Sequence, residues 1–197
     1  LAGQKSPEKG ISIIISGMPA VGKTTLAQAL AQRFGLTLLS GGDVLKEMAE
    51  ERGYRVTGLE WWDTPEGMRF LNERQGNPEF DREVDRRLKL AVERGGVVVT
   101  SYPLPWLTDK GVKFWLKASQ ASRAARMARR DRIPLEEALR IVRVRDEENR
   151  ALYQQLYGIR FGEDLSVFNY VIDTDPLSEA AVAEVVIRIV SYLVGGP

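Results

Sequence analysis

The run Gly17-Met18-Pro19-Ala20-Val21-Gly22-Lys23-Thr24-Thr25 sets two glycines, a lysine and a hydroxyl at the spacing G-x-x-x-x-G-K-[ST]. That is the pattern of a phosphate-binding P-loop when a strand precedes it and a helix follows. Both flanks are present: Ile11 to Ser16 is an apolar run of strand length, and Leu26 to Ala31 opens a helical period. Glycine at 17 and 22 lets the chain turn tightly, so that main-chain N–H groups approach phosphate oxygens with no Cβ between them. A helix starting at Lys23 adds its unpaired amides and the positive end of its dipole. Lys23 is then the cation for the β- and γ-phosphates of a nucleoside triphosphate, and Thr24 the hydroxyl ligand of the magnesium ion that bridges them.

A phosphate cradle names a donor and leaves the acceptor open. In open parallel sheets ligands bind beyond the carboxyl ends of the strands, which nominates Ser40 to Asp43 and Thr100 to Tyr102 as acceptor loops, with Ser40, Asp43 and Ser101 as contacts. Asp43 has two readings of equal weight: a carboxylate that orients an acceptor hydroxyl or a magnesium-bound water, or a helix N-terminal cap. A second cluster lies between Arg123 and Arg160. Phosphoryl transfer needs positive charge around the equatorial oxygens and exclusion of water, which arginines on a closing flap supply. Arg143, Arg145 and Arg150 are read as catalytic phosphate contacts of that kind, and Arg129 as a contact of the triphosphate. The competing reading pairs most of these arginines with Glu136, Glu137, Asp146, Glu147 and Glu148 on the surface, each pair worth a few tenths of a kcal/mol.

The elements that must position these residues follow from periodicity. Short apolar runs at 36–40, 97–100, 112–116 and 168–173 join the first strand, and helical patterns cover 43–52, 79–94, 119–132, 134–157 and 178–194. The expectation is an α/β fold: a three-layer α/β/α P-loop domain with a five-stranded parallel sheet. Residues 54–78 are interrupted by Gly58, Pro65, Gly67 and Pro78, and read as an excursion carrying at least one helix; Trp61 and Trp62 either line the acceptor pocket or pack the excursion against the core, and packing is the favoured reading. On the helix from Glu79, the stripe Phe80, Val84, Leu88 and Ala91 faces inward, and Asp81, Asp85 and Arg86 lie elsewhere on the surface.

Composition limits the chemistry further. A chain of 197 residues suffices for one well-buried domain. With no Cys and no His, disulfides, thiolate metal sites and the usual neutral-pH base are absent, and carboxylates, Lys, Arg and a bound metal must serve. The 28 Lys and Arg nearly balance 27 Asp and Glu, so net charge does not favour nucleic acid. Leu1 to Lys9 reads as a frayed polar tail, no run reaches membrane-spanning length, and the expected setting is cytoplasmic, as a monomer or weak homo-oligomer.

The sequence from Ile11 to Asp175 resembles the archaeal-type cytidylate kinases, nucleoside monophosphate kinases of the P-loop class. Carrying the resemblance are Gly17 to Thr25, Leu39-Ser40-Gly41-Gly42-Asp43-Val44 and Asn77-Pro78-Glu79-Phe80-Asp81-Arg82-Glu83-Val84-Asp85-Arg86-Arg87. Trp115-Leu116-Lys117-Ala118, Arg143 to Arg150, Leu156-Tyr157-Gly158-Ile159 and Asp164-Leu165-Ser166-Val167 extend it. It implies transfer of the ATP γ-phosphoryl group, with Mg2+, to CMP, dCMP or a related monophosphate. It also implies a core of about 11–42, 95–129 and 166–194, a monophosphate-binding segment of about 43–94 and a lid of about 130–160. Asp85 and Arg86 would help hold the monophosphate, and lid arginines would bridge the two substrates. Two positions depart from the family pattern: Thr100-Ser101-Tyr102-Pro103-Leu104 stands where members carry a Gly-Arg-Leu type turn, and alignment on Tyr157-Gly158-Ile159 sets Leu152 where a second lid arginine is expected. Two alternatives remain open on the residues alone. One is a small-molecule kinase with a hydroxyl acceptor, for which Asp43 is the candidate base; the other is a nucleotide-dependent switch or nucleic-acid accessory protein using the arginine-rich helices.

Overall fold

The computed structural model describes residues 10–56, 61, 64–74 and 77–195; the tail at Leu1 to Lys9, and Gly58 and Trp62, lie outside them. The sheet starts where the β-branched run does. Strand β1 (Ile13–Gly17) is buried throughout, and Ile13 and Ile15 point to one face while Ile14 points to the other, as period-two alternation requires. Helix α1 (Lys23–Phe34) follows the glycine-rich loop, then β2 (Thr37–Ser40), α2 (Gly41–Glu51), α3 (Pro65–Arg74), α4 (Pro78–Arg94) and β3 (Val97–Thr100). The second half runs α5 (Leu104–Leu107), β4 (Val112–Lys117), α6 (Gln120–Asp131), α7 (Leu135–Tyr157), β5 (Tyr170–Asp173) and α8 (Glu179–Leu193).

The strands form one five-stranded parallel sheet in the order β2-β3-β1-β4-β5, with Ile14 opposite Val99 and Ile15 opposite Phe114. The expected parallel α/β sheet is thus observed. Because the chain leaves β1 for the edge at β2 and later crosses to β4 on the other side, the strand order reverses at β1, and a crevice opens beyond its carboxyl end. The P-loop sits in it. On one face Ile13, Ile15, Val98 and Phe114 pack against Leu26 and Leu30 of α1 and Val182, Val186 and Val190 of α8. On the other, Ile14, Val97 and Val99 pack against α2, α4 and α5. Among the described residues, no helix is long and apolar enough to cross a membrane.

Two details differ from the expectation. Gly41 and Gly42, expected as a turn, are the first residues of α2, because Ser40 closes a capping box with Asp43 at its N-cap. The excursion at 54–78 contains α3, and Trp61 is 1% exposed beneath Tyr54 and Phe70, so for Trp61 the packing reading holds. The short α5 was not expected; its prolines are tolerated because, in a single turn, a proline at the N-terminus removes no intrahelical bond.

Helices α2 and α4 are tied by Arg87, which donates to Glu51 and to Glu83, while Arg86 also donates to Glu83. The two guanidiniums hold the Glu83 carboxyl down from an ordinary 4.5 to about 2. A depressed carboxyl pKa gives stability that is complete above the unfolded value and lost as pH falls through the folded one. The melting-temperature advantage of the native chain over Glu83→Gln is therefore expected to hold at pH 6 and to shrink steadily between pH 4.5 and 2; a pH-independent difference would contradict this linkage.

Candidate active site

The loop between β1 and α1 is shaped by close backbone contacts and by backbone conformations that favour glycine. Gly17 has φ +148°, and a Cβ there would lie 2.5 Å from the Leu116 carbonyl of β4, so only glycine allows β1 and β4 to approach this closely. Ala20 takes the left-handed conformation at φ 62°, a strained choice for a residue with a Cβ. Gly22 caps α1 at φ 101° with no side-chain hydrogen bond. Ser40, Asn77, Ser119 and Ser178, by contrast, cap α2, α4, α6 and α8 with their own oxygens. The first amides of α1 thus remain for an anion.

The loop carbonyls are held by cations. Lys23 Nζ donates to the Gly17 carbonyl at 2.8 Å and the Met18 carbonyl at 3.0 Å. Arg123 Nη1 donates to the Pro19 carbonyl at 3.1 Å, and Arg126 Nη1 to the Val21 carbonyl at 3.3 Å. Arg123 is itself buried and makes a two-pronged pair with Asp146 of α7, at 2.8 and 2.7 Å, while Gln120 donates to the same carboxylate. The Met18 side chain is enclosed by Trp115, Tyr153, Ile159 and Phe161. Behind it Gly162 comes so close that a Cβ would stand 2.3 Å from Met18 Cε. Enclosure of the ammonium, reinforced by the positive charges of Arg145 and Arg123 and opposed by the negative charge of Asp146, pushes the Lys23 pKa down to about 7. A dense cationic field awaits charge of the opposite sign.

Two cavities flank the loop. One, of about 670 Å³, is bounded by Val21, Gly22, Thr25, Arg126, Arg129 and Thr174. Arg126 is fixed there by Thr174, whose hydroxyl and carbonyl accept its two nitrogens at 2.9 and 2.7 Å. The other, of about 470 Å³, is floored by Lys23 and Thr24 and walled by Ser40, Asp81, Asp85, Ser101, Tyr102, Arg145, Asn149 and Tyr153. Asp85 is 7% exposed and accepts from the Tyr157 hydroxyl at 2.7 Å, joining α4 to the end of α7. Tyr157 is in turn pushed up from its ordinary pKa of 10.0, by burial first and by the Asp85 carboxylate second.

The sequence-derived candidates divide accordingly. Lys23, Thr24, Ser40, Asp85, Ser101 and Arg145 meet in the second cleft, and Thr25 and Arg129 border the first. Asp85 and Asp81 were expected on the outer surface of α4; they line the cleft instead, because each directly follows an inward residue, Val84 or Phe80, and so stands at the edge of the apolar stripe. Arg86, one position further round, is exposed and bonded to Glu83 outside the cleft. Arg143 lies on the outward face of α7 with Arg140 and Glu147, and Arg150 borders a smaller cavity of about 260 Å³ behind the loop, beside Arg123 and Gly162. Asp43 faces solvent, its Oδ2 accepting from the Ser40 amide at 2.8 Å and the Ser40 hydroxyl at 2.6 Å. The Ser101 hydroxyl accepts from the Leu104 amide at 3.3 Å, capping α5. Asp146, expected in a surface ladder, is 1% exposed. Residues not singled out as contacts are Arg123, Arg126, Thr174, Asn149, Tyr102 and Tyr153. Tyr102 lies in the nominated loop from Thr100 to Tyr102, and Arg123 and Arg126 lie in the arginine cluster between Arg123 and Arg160; Thr174, Asn149 and Tyr153 left no trace.

The family model described as the cytidylate kinase-like family matches residues 12–176. The chain belongs to this family. It is similar to the cytidylate kinase of Pyrobaculum aerophilum, 38% identical over 85% of this chain and 86% of that protein. The cytidylate kinase of Pyrococcus horikoshii is 32% identical over 95% and 92%. Among solved structures, an uncharacterized protein from Eubacterium ventriosum aligns with a TM-score of 0.66 at 15% identity, over 93% of this chain and 99% of that one. The shikimate kinase from Acinetobacter baumannii in complex with shikimate aligns at 0.54 and 17%, over 93% and 94%. Those two likenesses concern the fold. ATP-dependent phosphoryl transfer is the activity of this family, and the loop geometry provides for the donor.

The Arg123–Asp146 pair makes a sharp prediction. Asp146→Ala leaves a guanidinium buried without its counter-charge, at a cost of about 3–5 kcal/mol, and a large drop in melting temperature is expected. Exchange of both residues together, Arg123→Met with Asp146→Leu, is expected to recover much of that loss. A single Asp146→Ala variant that melts with the native chain would contradict the pairing.

Proposed function

We propose that this chain is a cytidylate kinase, moving the γ-phosphoryl group of ATP onto the phosphate of CMP or dCMP. The observation that carries the reading is the cleft built across Lys23, with Thr24 on its floor, Arg145 on one wall and the buried Asp85 on the other. Lys23 and the free amides of α1 hold the donor phosphates. Arg145 is placed to neutralise the migrating group and the acceptor phosphate, as phosphoryl transfer requires. A phosphate acceptor already carries its nucleophilic oxygen, so no general base is needed, in keeping with a chain without histidine.

The geometry disfavours a hydroxyl acceptor. Asp43, the base such a reaction would use, has one carboxylate oxygen taken up by two hydrogen bonds from Ser40 and lies outside the cleft. Asp85 would help hold the monophosphate, as the resemblance implies, through its base. A carboxylate repels a phosphate dianion, whereas it accepts well from an amine; held by Tyr157, it suits the exocyclic amine of cytosine. Helices α2 to α4 would form the monophosphate segment, and α7, within about 130–160, the lid.

Magnesium fits the donor set. Among the described residues no three or more Asp, Glu, His or Cys converge as a metal cage. A single hydroxyl from Thr24, with phosphate oxygens and water, is the sparse protein share that Mg2+ accepts. When bound, it neutralises charge on the transferring phosphates. The substrates are metabolites of the cytoplasm, where this reading puts the enzyme.

Coupled measurement of ADP formation with CMP, dCMP, UMP, AMP and GMP tests the reading. CMP and dCMP are expected to lead, and absence of turnover with every nucleotide would overturn it. Asp85→Asn is expected to lower kcat/KM for CMP by about ten- to a hundred-fold, the scale of a hydrogen bond to a charged group, and to narrow the preference for CMP over UMP. An unchanged CMP-to-UMP ratio would remove Asp85 from base recognition.

A further inference from the structure

Tyr102 occupies the cleft at a point where the sequence offers no arginine. Its ring lies beneath the Lys23 ammonium, with Nζ 4.4 Å from the ring centroid. Two of the three N–H bonds of that ammonium are already directed, to the Gly17 and Met18 carbonyls. The ring face covers a further side. Tyr102 is itself fixed on every flank: Ser16 Oγ donates to its carbonyl at 2.8 Å, and Pro103 follows it and restricts its backbone. The ring packs edge-on against Phe161 at 5.7 Å and at a tilt against Tyr153 of α7 at 6.1 Å. A ring immobilised on both sides presents its negative face to the lysine without further loss of freedom.

We propose that Tyr102 is a positioning residue for Lys23: its ring face, braced by Tyr153 and Phe161, holds the ammonium so that the remaining N–H points at the donor phosphates. The contact works in a partly desolvated site, where cation–π attraction is stronger than at the surface. It also gives α7 a physical connection to the P-loop lysine through Tyr153, independent of any arginine. Tyr102 acts through Lys23 and not on the acceptor, so the effect belongs to ATP binding.

The inference needs only the P-loop to bind nucleotide, and its test is separable from the identity of the acceptor. ATP dissociation constants, read by calorimetry with Mg2+ present, would be compared for the native chain, Tyr102→Leu, Tyr102→Phe, Lys23→Ala and the Lys23→Ala, Tyr102→Leu double variant. Tyr102→Leu is expected to weaken ATP binding about ten-fold, the scale of a desolvated cation–π contact. Tyr102→Phe, which retains the face, restores what Leu loses. In the Lys23→Ala background the Leu change is expected to add nothing, the signature of two groups acting as one. Where Leu disturbs folding or Lys23→Ala binds too weakly to measure, fluorinated phenylalanines at position 102 keep the ring size while draining its negative face. Affinity falling stepwise with fluorine number supports the proposal. An even response along that series, a Phe variant as impaired as Leu, or an equal loss without Lys23 would overturn it. Failure of CMP turnover with an intact Tyr102–Lys23 coupling would count against the acceptor alone.

Discussion

A guanidinium that cannot reach water must be neutralised where it stands, and this constraint governs the geometry around the P-loop. Arg123 is buried, and the partner that balances it, Asp146, is supplied by a different helix. One of the two paired nitrogens of Arg123 also serves the loop: Nη1 reaches the Pro19 carbonyl as well, while Nε finds no partner among the described residues. A single side chain therefore fixes three things at once, namely the loop backbone, α6 and α7. Were α6 or α7 to move alone, a buried charge would lose its counter-ion, and were the loop to move, the guanidinium would lose the Pro19 carbonyl. The loop is rigid on its carbonyl side for that reason, and its amides can be left without partners on the other.

Strain and glycine serve the same end. Ala20 in the left-handed region and Gly17 pressed on the Leu116 carbonyl are tolerated because contacts with Arg123, Arg126 and the enclosed Met18 over-determine the loop. Preorganisation of this kind means that phosphate meets donors already in place, and little reorganisation is left for the moment of transfer.

Much of this was legible in the sequence. Strands β1 and β3 are β-branched runs bounded by glycine or by helix ends, and nothing else competes for such segments, so their limits came out nearly as observed. The start of α2 was also written there: Ser40-x-x-Asp43 is a capping-box pattern, yet the Gly41-Gly42 pair between them reads as a turn, and the box prevails because it satisfies two backbone groups at once. Charged residues were harder to place. Asp146 and Arg123 are of types that belong on surfaces, and only a partner on a distant helix brings them inside. Arg86 and Asp85 are neighbours in the chain and differ by about 100° around α4, enough to send one to solvent and the other to the cleft wall. Tyr102 carries no pattern at all, because a contact with Lys23 across 79 positions depends wholly on the β1–β3 pairing.

The near-collision between Gly162 and Met18 sets a limit of another sort. The segment returning from α7 passes the P-loop so closely that a methyl group at 162 would push aside the end of the Met18 side chain, and it is anchored in front by Ile159 and Phe161 and behind by Phe168. That stretch behaves as a gauge block set against the phosphate loop. Any added residue between 158 and 165 has to displace Met18 or the aromatic rings around it, so the length of this return is coupled to the shape of the cradle itself.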